Sequence, residues 1–202
     1  MGALPGDPQA GANLCAGVRG MPYRWGHIGE RPGAWRGPGM VTQQSYRDAM
    51  ARLGAAVSVI TTDGPAGRGG FTASAVCSVT DDPPTLLVCM NRGTDLNAMF
   101  KANGVLCVNV LSAAQQRLSP LFGGLVPADM ETRFSAAAWH ALATGAPALD
   151  GAVVSFDCRI AQITEVGTHS VFFCEIAALQ SGAAHEGLIY FGRAYHRIAG
   201  MG

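Results

Sequence analysis

Gly70-Phe71-Thr72-Ala73-Ser74-Ala75-Val76-Cys77-Ser78-Val79-Thr80, closed by Asp81-Asp82-Pro83-Pro84, is the stretch on which the fold turns. Phe71, Ala73, Ala75, Cys77 and Val79 fall on one side of a period of two. Thr72, Ser74 and Ser78 fall opposite, with Val76 among them. That alternation predicts a strand over residues 71–79. The Asp-Asp-Pro-Pro run breaks it, and Thr85 to Met90 then reads as a buried strand. Small residues dominate one strand end. They let a flat ring approach the backbone, whose polar groups, with Thr and Ser hydroxyls, can bond the ring's edge. A tightly packed barrel strand has the same composition.

Upstream, Tyr46, Ala49, Met50 and Leu53 recur at helical spacing, which predicts a short helix over 43–53 ended by Gly54. Residues 56–62 read as a strand and 63–70 as a turn. Downstream, a helix is expected over 95–102, a strand over 105–111, and a helix from the N-cap Ser112, with Gln115 three residues on, to about Phe122. Residues 123–149 are loop-rich with one helical piece. Strands close the chain at 154–160, 171–179 and 188–191. Six or seven strands that do not alternate with helices argue against a doubly wound parallel sheet and for an antiparallel barrel. The expected fold is mainly β with a few short helices.

Residues 1–40 are rich in Gly, Pro, Ala and Arg and show no period, with Trp25 and Trp35 isolated among them. They read as a disordered tail, with Met40 as a candidate natural start, before a single domain over 41–202.

Fourteen Lys and Arg balance fourteen Asp and Glu, so no basic stripe is expected to hold nucleic acid. Lys101 is the only lysine, a thin basis for Schiff-base chemistry. No apolar run is long enough to span a membrane, and no secretory signal pattern opens the chain. A cytoplasmic protein is expected. Of the six cysteines, none forms a C-x-x-C pair and five sit in apolar runs, which reads as buried reduced thiols. The five histidines lack metal-ligand spacing, so no metal site is expected.

The glycine-rich turn at 63–70 lacks the Gly-Lys-Ser/Thr ending of a phosphate loop and joins two strands, which suits a hairpin. More informative is Cys89-Met90-Asn91-Arg92-Gly93-Thr94-Asp95-Leu96-Asn97, where a strand runs through a polar turn into a helix. Backbone N–H groups at the helix start, with Arg92 and the Thr94 hydroxyl, suit a phosphate. An ordinary N-cap by Thr94 fits equally.

Taken together, the Phe71–Thr80 strand, the Asp-Pro-Pro break, Cys107-Val108-Asn109-Val110, Gly167-Thr168-His169 and Gly187-Leu188-Ile189-Tyr190-Phe191 resemble the flavin reductase family. The resemblance runs from about Tyr46 to His196. It implies a split β-barrel, FMN or alternatively FAD, NADH, and a homodimer with flavin near the subunit interface. By the same resemblance Thr72, Ala73, Ser74 and Ala75 line the isoalloxazine. Cys89 belongs to the flavin site, and Asn91, Arg92 and Thr94 approach the ribityl phosphate. Asn109 sits on a neighbouring strand near the flavin, and His169 lies by the nicotinamide as the catalytic candidate. Many members carry Gly-Asp-His where this chain has Gly-Thr-His. The runs Thr61–Arg68, Leu121–Gly124 and Val154–Ile160 are similar to members serving uracil and pyrimidine catabolism, which implies delivery of reduced flavin to a separate monooxygenase. Reductase components of aromatic hydroxylases, such as that of 4-hydroxyphenylacetate 3-monooxygenase, are similar too. Two rivals share such a barrel: a pyridoxamine-phosphate-oxidase-like enzyme and a non-enzymatic flavin- or haem-binding module.

Overall fold

The computed structural model describes residues 41–183 and 186–200; the expected tail at 1–40 lies outside them. Seven strands form one antiparallel sheet: β2 (Ser58–Thr62), β3 (Gly69–Ala73), β4 (Val76–Asp81), β5 (Pro84–Asn91), β6 (Val105–Val110), β9 (Val154–Val166) and β10 (His169–Ser181). Their order is β3-β2-β6-β9-β10-β5-β4. The strand predicted over 71–79 is therefore two strands at opposite edges of the sheet. Ser74 and Ala75 alone separate them, so the sheet must curl until its edges meet. β3 and β4 do not pair with each other, which leaves the barrel split at that seam. Beside it the Ala75 carbonyl extends the β4–β5 ladder, accepting from the Cys89 N–H at 3.0 Å. Alternation continued through the break because the side-chain pattern does not register a change of ladder partner.

The barrel interior is apolar. Ile60, Leu86, Val88, Met90, Leu106, Val108, Cys158, Phe172 and Cys174 fill it. Helix α2 (Asp95–Asn103) adds Phe100, which meets Phe71 edge to face at 5.3 Å. Each large side chain buried there contributes about 1.5–3 kcal/mol. Gly104 ends α2 in the left-handed region at φ +67°, as a C-terminal glycine should. A second core lies outside the barrel, where α3 (Leu118–Phe122) and α4 (Met130–Ser135) place Phe122 and Phe134 among Val57, Val59 and Leu188. Gly70 makes that approach possible: a Cβ there would stand 2.9 Å from the Phe122 ring.

Several expectations shift. The helix at 43–53 ends at Met50, as α1 (Gln43–Met50), and buries none of its residues. Its apolar side chains Tyr46 and Met50 are exposed. The strand at 56–62 divides into β1 (Ala55–Ala56) and β2. The helix expected from Ser112 is a short 3-10 turn before α3, although Gln115 does accept from the Ser112 N–H at 3.1 Å. β7 (Trp139–Ala141), β8 (Pro147–Leu149) and β12 (Ala194–Ala199) escaped prediction, the first two being only three residues long and the third largely exposed with no clean alternation. β12 pairs with β11 (Glu186–Phe191), and β1 adds to that small sheet. The turn at 63–70 is a hairpin between β2 and β3. Cys107, Cys158 and Cys174 are buried thiols, but Cys77 is exposed and Cys89 half-buried. Among the described residues no acidic, His or Cys cluster could hold a metal, and no helix is long and apolar enough to cross a membrane.

The β7–β8 hairpin is clasped to β10 by His140. Its Nδ1 meets Asp150 and its Nε2 meets the Gln180 Oε1 at 2.7 Å. Both partners accept, so the ring serves them best as an imidazolium. Gln180 first, then Asp150, raises its pKa above 6.5. A pKa raised by folding gives stability that is complete below the unfolded value and is lost as pH rises through the folded one. The stability difference between the wild type and His140→Ala should therefore be largest below pH 6.5 and shrink in alkaline buffer, as read by denaturant melts across pH.

Candidate active site

β5 and β10 run side by side with every second residue buried. Leu86, Val88 and Met90 face the barrel interior with Ser170, Phe172 and Cys174. Leu87, Cys89 and Asn91 face outward with His169, Val171 and Phe173, all half-buried. Asn91 and His169 are direct cross-strand partners. Phe172 is therefore core, whereas Val171 and Phe173 lie on the outward face.

Three predicted segments meet at this end of the sheet. The Ser74–Ala75 seam reaches Cys89 through the Ala75 carbonyl. The 91–94 turn follows β5, and the Arg92 N–H donates to the Thr168 carbonyl at 2.9 Å. The β9–β10 hairpin brings Gly167, Thr168 and His169 beside it. Gly167 takes φ +56° at the tip.

The side chains differ in what they have left to offer. Ser74 is half-buried and Ala75 exposed. Asn91 Oδ1 accepts from the Gly93 N–H at 2.8 Å and shapes the turn. Thr94 holds the N-cap position of α2 without capping it: its hydroxyl donates back to the Asn91 carbonyl at 3.2 Å. The Asn97 N–H donates to the Thr94 carbonyl at 3.0 Å, and no side-chain cap takes the Asp95 and Leu96 N–H groups, an arrangement that suits a phosphate. Arg92 stands at the same turn. Its Nε lies 3.0 Å from Glu165 Oε2, and its Nη1 donates to the Gly167 carbonyl at 3.3 Å. Burial pushes the Cys89 thiol up, so it stays protonated and is no nucleophile.

His169 Nδ1 lies 2.9 Å from the Thr168 hydroxyl. The threonine that replaces the family's aspartate is therefore the ring's own partner. Burial lowers the His169 pKa, and no carboxylate opposes that shift. The imidazole is neutral at neutral pH and keeps Nε2 for a substrate.

Three of the named residues turn their side chains into the protein. Thr72 is buried and its hydroxyl donates to the Ser119 carbonyl at 2.7 Å, so it anchors α3. Ala73 is buried and its methyl points into the barrel core. Asn109 is fully buried beneath β8, with its amide consumed by protein groups. Its side chain acts as scaffold between β6, β2, β8 and β9. Sequence reasoning missed Glu165, which bonds Arg92, Lys101 and Ser170. Its two cationic partners are distant in sequence, so no spacing revealed it.

A barrel split at a small-residue seam, with an uncapped helix start and a neutral histidine at one sheet end, defines a flavin-reductase-type protein. A family model, the flavin reductase like domain, matches residues 50–199, and the chain belongs to that family. The FMN reductase (NADH) RutF of Ancylobacter novellus is 60% identical over 168 residues, covering 83% of this chain and 91% of that protein. A Haemophilus somnus crystal structure described as a flavin reductase aligns with a TM-score of 0.75 and 47% identity, over 78% of this chain and 100% of that one. BorF, the flavin reductase component of a bacterial two-component tryptophan halogenase, aligns at 0.72 and 27% identity, over 79% of this chain and 100% of that one.

Proposed function

We infer that the chain is an NADH:FMN oxidoreductase that releases reduced flavin to a separate monooxygenase in pyrimidine catabolism. The convergence of the 74–75 seam, the 91–94 turn and His169 on one sheet end carries this reading. The 60% identity to a protein named FMN reductase (NADH) RutF supports its cofactor choice and its pathway. The donor set fits FMN. Ser74 and Ala75 leave room for a flat ring, and the open α2 start with Arg92 suits a monophosphate. Bound FMN supplies the hydride acceptor, and NADH supplies the hydride.

The protein's own work is binding and orientation, which is why no acid–base constellation stands at the site. His169 presents a neutral imidazole on the outward face, where it can hold the nicotinamide end of NADH by a hydrogen bond. Donor and acceptor must be kept about 3–3.5 Å apart, so a misplaced nicotinamide costs rate directly. The outward apolar residues Leu87, Val171 and Phe173 provide a surface for a second copy of the chain beside the site. Without a membrane-crossing helix among the described residues, a cytoplasmic location agrees with use of NADH.

The test is NADH consumption at 340 nm by the purified full chain. Oxidation should depend on added FMN and outpace that with FAD or with NADPH. No FMN-dependent oxidation would refute the assignment.

A further inference from the structure

Glu165 on β9 is the point at which both halves of the site are tied together. Its Oε1 lies 2.6 Å from Lys101 Nζ on α2 and its Oε2 lies 3.0 Å from Arg92 Nε. The Ser170 hydroxyl reaches both oxygens, at 3.1 and 3.0 Å. Ser170 in turn accepts from Asn97 Nδ2 on α2 at 3.1 Å, and it is the neighbour of His169. One carboxylate thus links the turn before α2, α2 itself and the strand that bears His169. The Lys101 ammonium, then Ser170 and Arg92, holds the Glu165 carboxyl below its usual range, so it stays ionised at neutral pH.

Arg92 has no other carboxylate partner among the described residues. Its Nε and Nη1 are engaged by Glu165 and the Gly167 carbonyl, and Nη2 has no protein partner among the described residues. The guanidinium is therefore held at Nε and at Nη1, with Nη2 left over. An exposed arginine left unpinned samples many rotamers and loses that freedom on binding. We propose that Glu165 is a positioning residue for the flavin phosphate: it holds Arg92 at Nε so that Nη2 is preset for the phosphate at the turn before α2. The inference rests on the reading that Arg92 meets the phosphate.

Binding of FMN and of riboflavin, which lacks the phosphate, separates the possibilities. Flavin fluorescence quenching with the full chain gives both Kd values without turnover. Glu165→Ala should raise the Kd for FMN about tenfold, the size of one charge-assisted contact, and leave riboflavin unchanged. Glu165→Gln keeps the side chain's shape and one acceptor, and should fall between. Arg92→Ala should abolish the preference for FMN altogether. Equal losses for both flavins in Glu165→Gln would overturn the proposal, since a merely structural role predicts them. So would a wild-type preference in Glu165→Ala alongside its loss in Arg92→Ala, which leaves the Arg92 reading intact. A preference that survives Arg92→Ala, or a wild type that binds both flavins equally, removes the phosphate reading and the proposal with it.

Discussion

Asn109→Ala should cost the fold about 3 kcal/mol or more, and lower its Tm by roughly 10 °C. The side chain is fully buried and ties its own strand, β6, to three others at once. Nδ2 donates to the carbonyls of Val59 at 3.1 Å and Pro147 at 3.3 Å, and reaches the Thr61 hydroxyl at 3.2 Å. Oδ1 accepts from the Leu149 N–H and the Ser155 hydroxyl, each at 2.8 Å. Truncation strands the Leu149 N–H and the Ser155 hydroxyl and takes a donor from the Val59 carbonyl where water does not reach, while the Pro147 carbonyl keeps the Thr61 hydroxyl. Each buried orphan costs about 1–3 kcal/mol, which is why deleting a hub exceeds deleting one bond. Asn91→Ala, whose amide serves only a surface turn, should cost far less. Thermal and urea melts of the two variants check this, and a loss below about 1 kcal/mol for Asn109→Ala would contradict the scaffold role.

The second large effect is at His169. His169→Ala should lower kcat/KM for NADH by tens-fold up to roughly a hundredfold, the scale set by misplacing one reactant. FMN affinity should stay near the wild-type value, because the role proposed for His169 is at the nicotinamide end. Protonation of a half-buried imidazole without a carboxylate partner is disfavoured, and its pKa is lowered accordingly. The ring stays neutral well into mildly acid solution. Wild-type kcat/KM for NADH should therefore fall only at acid pH, and that limb should vanish in His169→Ala. Thr168→Asp restores a carboxylate beside Nδ1, and should move the limb to higher pH. Steady-state kinetics across pH, with FMN saturating, distinguishes these outcomes. An unchanged NADH dependence in His169→Ala would defeat the role.

The class of fold was legible in the sequence because strand periodicity and the Asp-Asp-Pro-Pro break are local signals. The splitting of 71–79 between two sheet edges was not, since a period of two survives a change of pairing partner. Ser74 and Ala75 were correctly singled out as small residues, but their place at the barrel seam follows from topology. At Thr72 and Asn109 the sequence leaves two readings open for one reason: a polar side chain on a strand reads alike whether it meets a ligand or a buried carbonyl. Arg92 and Thr94 stood out from the strand–turn–helix pattern and His169 and Asn91 from the resemblance, and the fold brings the four to one end of the sheet. Glu165 went unseen because its partners Lys101 and Arg92 lie 64 and 73 positions away, counted along the chain.

Anaerobic reduction of FMN tests the central claim most directly. A trace of the purified chain is mixed with NADH and a large molar excess of FMN, and flavin absorbance is followed near 450 nm. Hydride transfer with release of the product predicts bleaching of the whole FMN pool by substoichiometric protein, at a rate proportional to protein concentration. Bleaching that stops at one flavin per chain, or none at all, would contradict a reductase of diffusible flavin and point to a binding module.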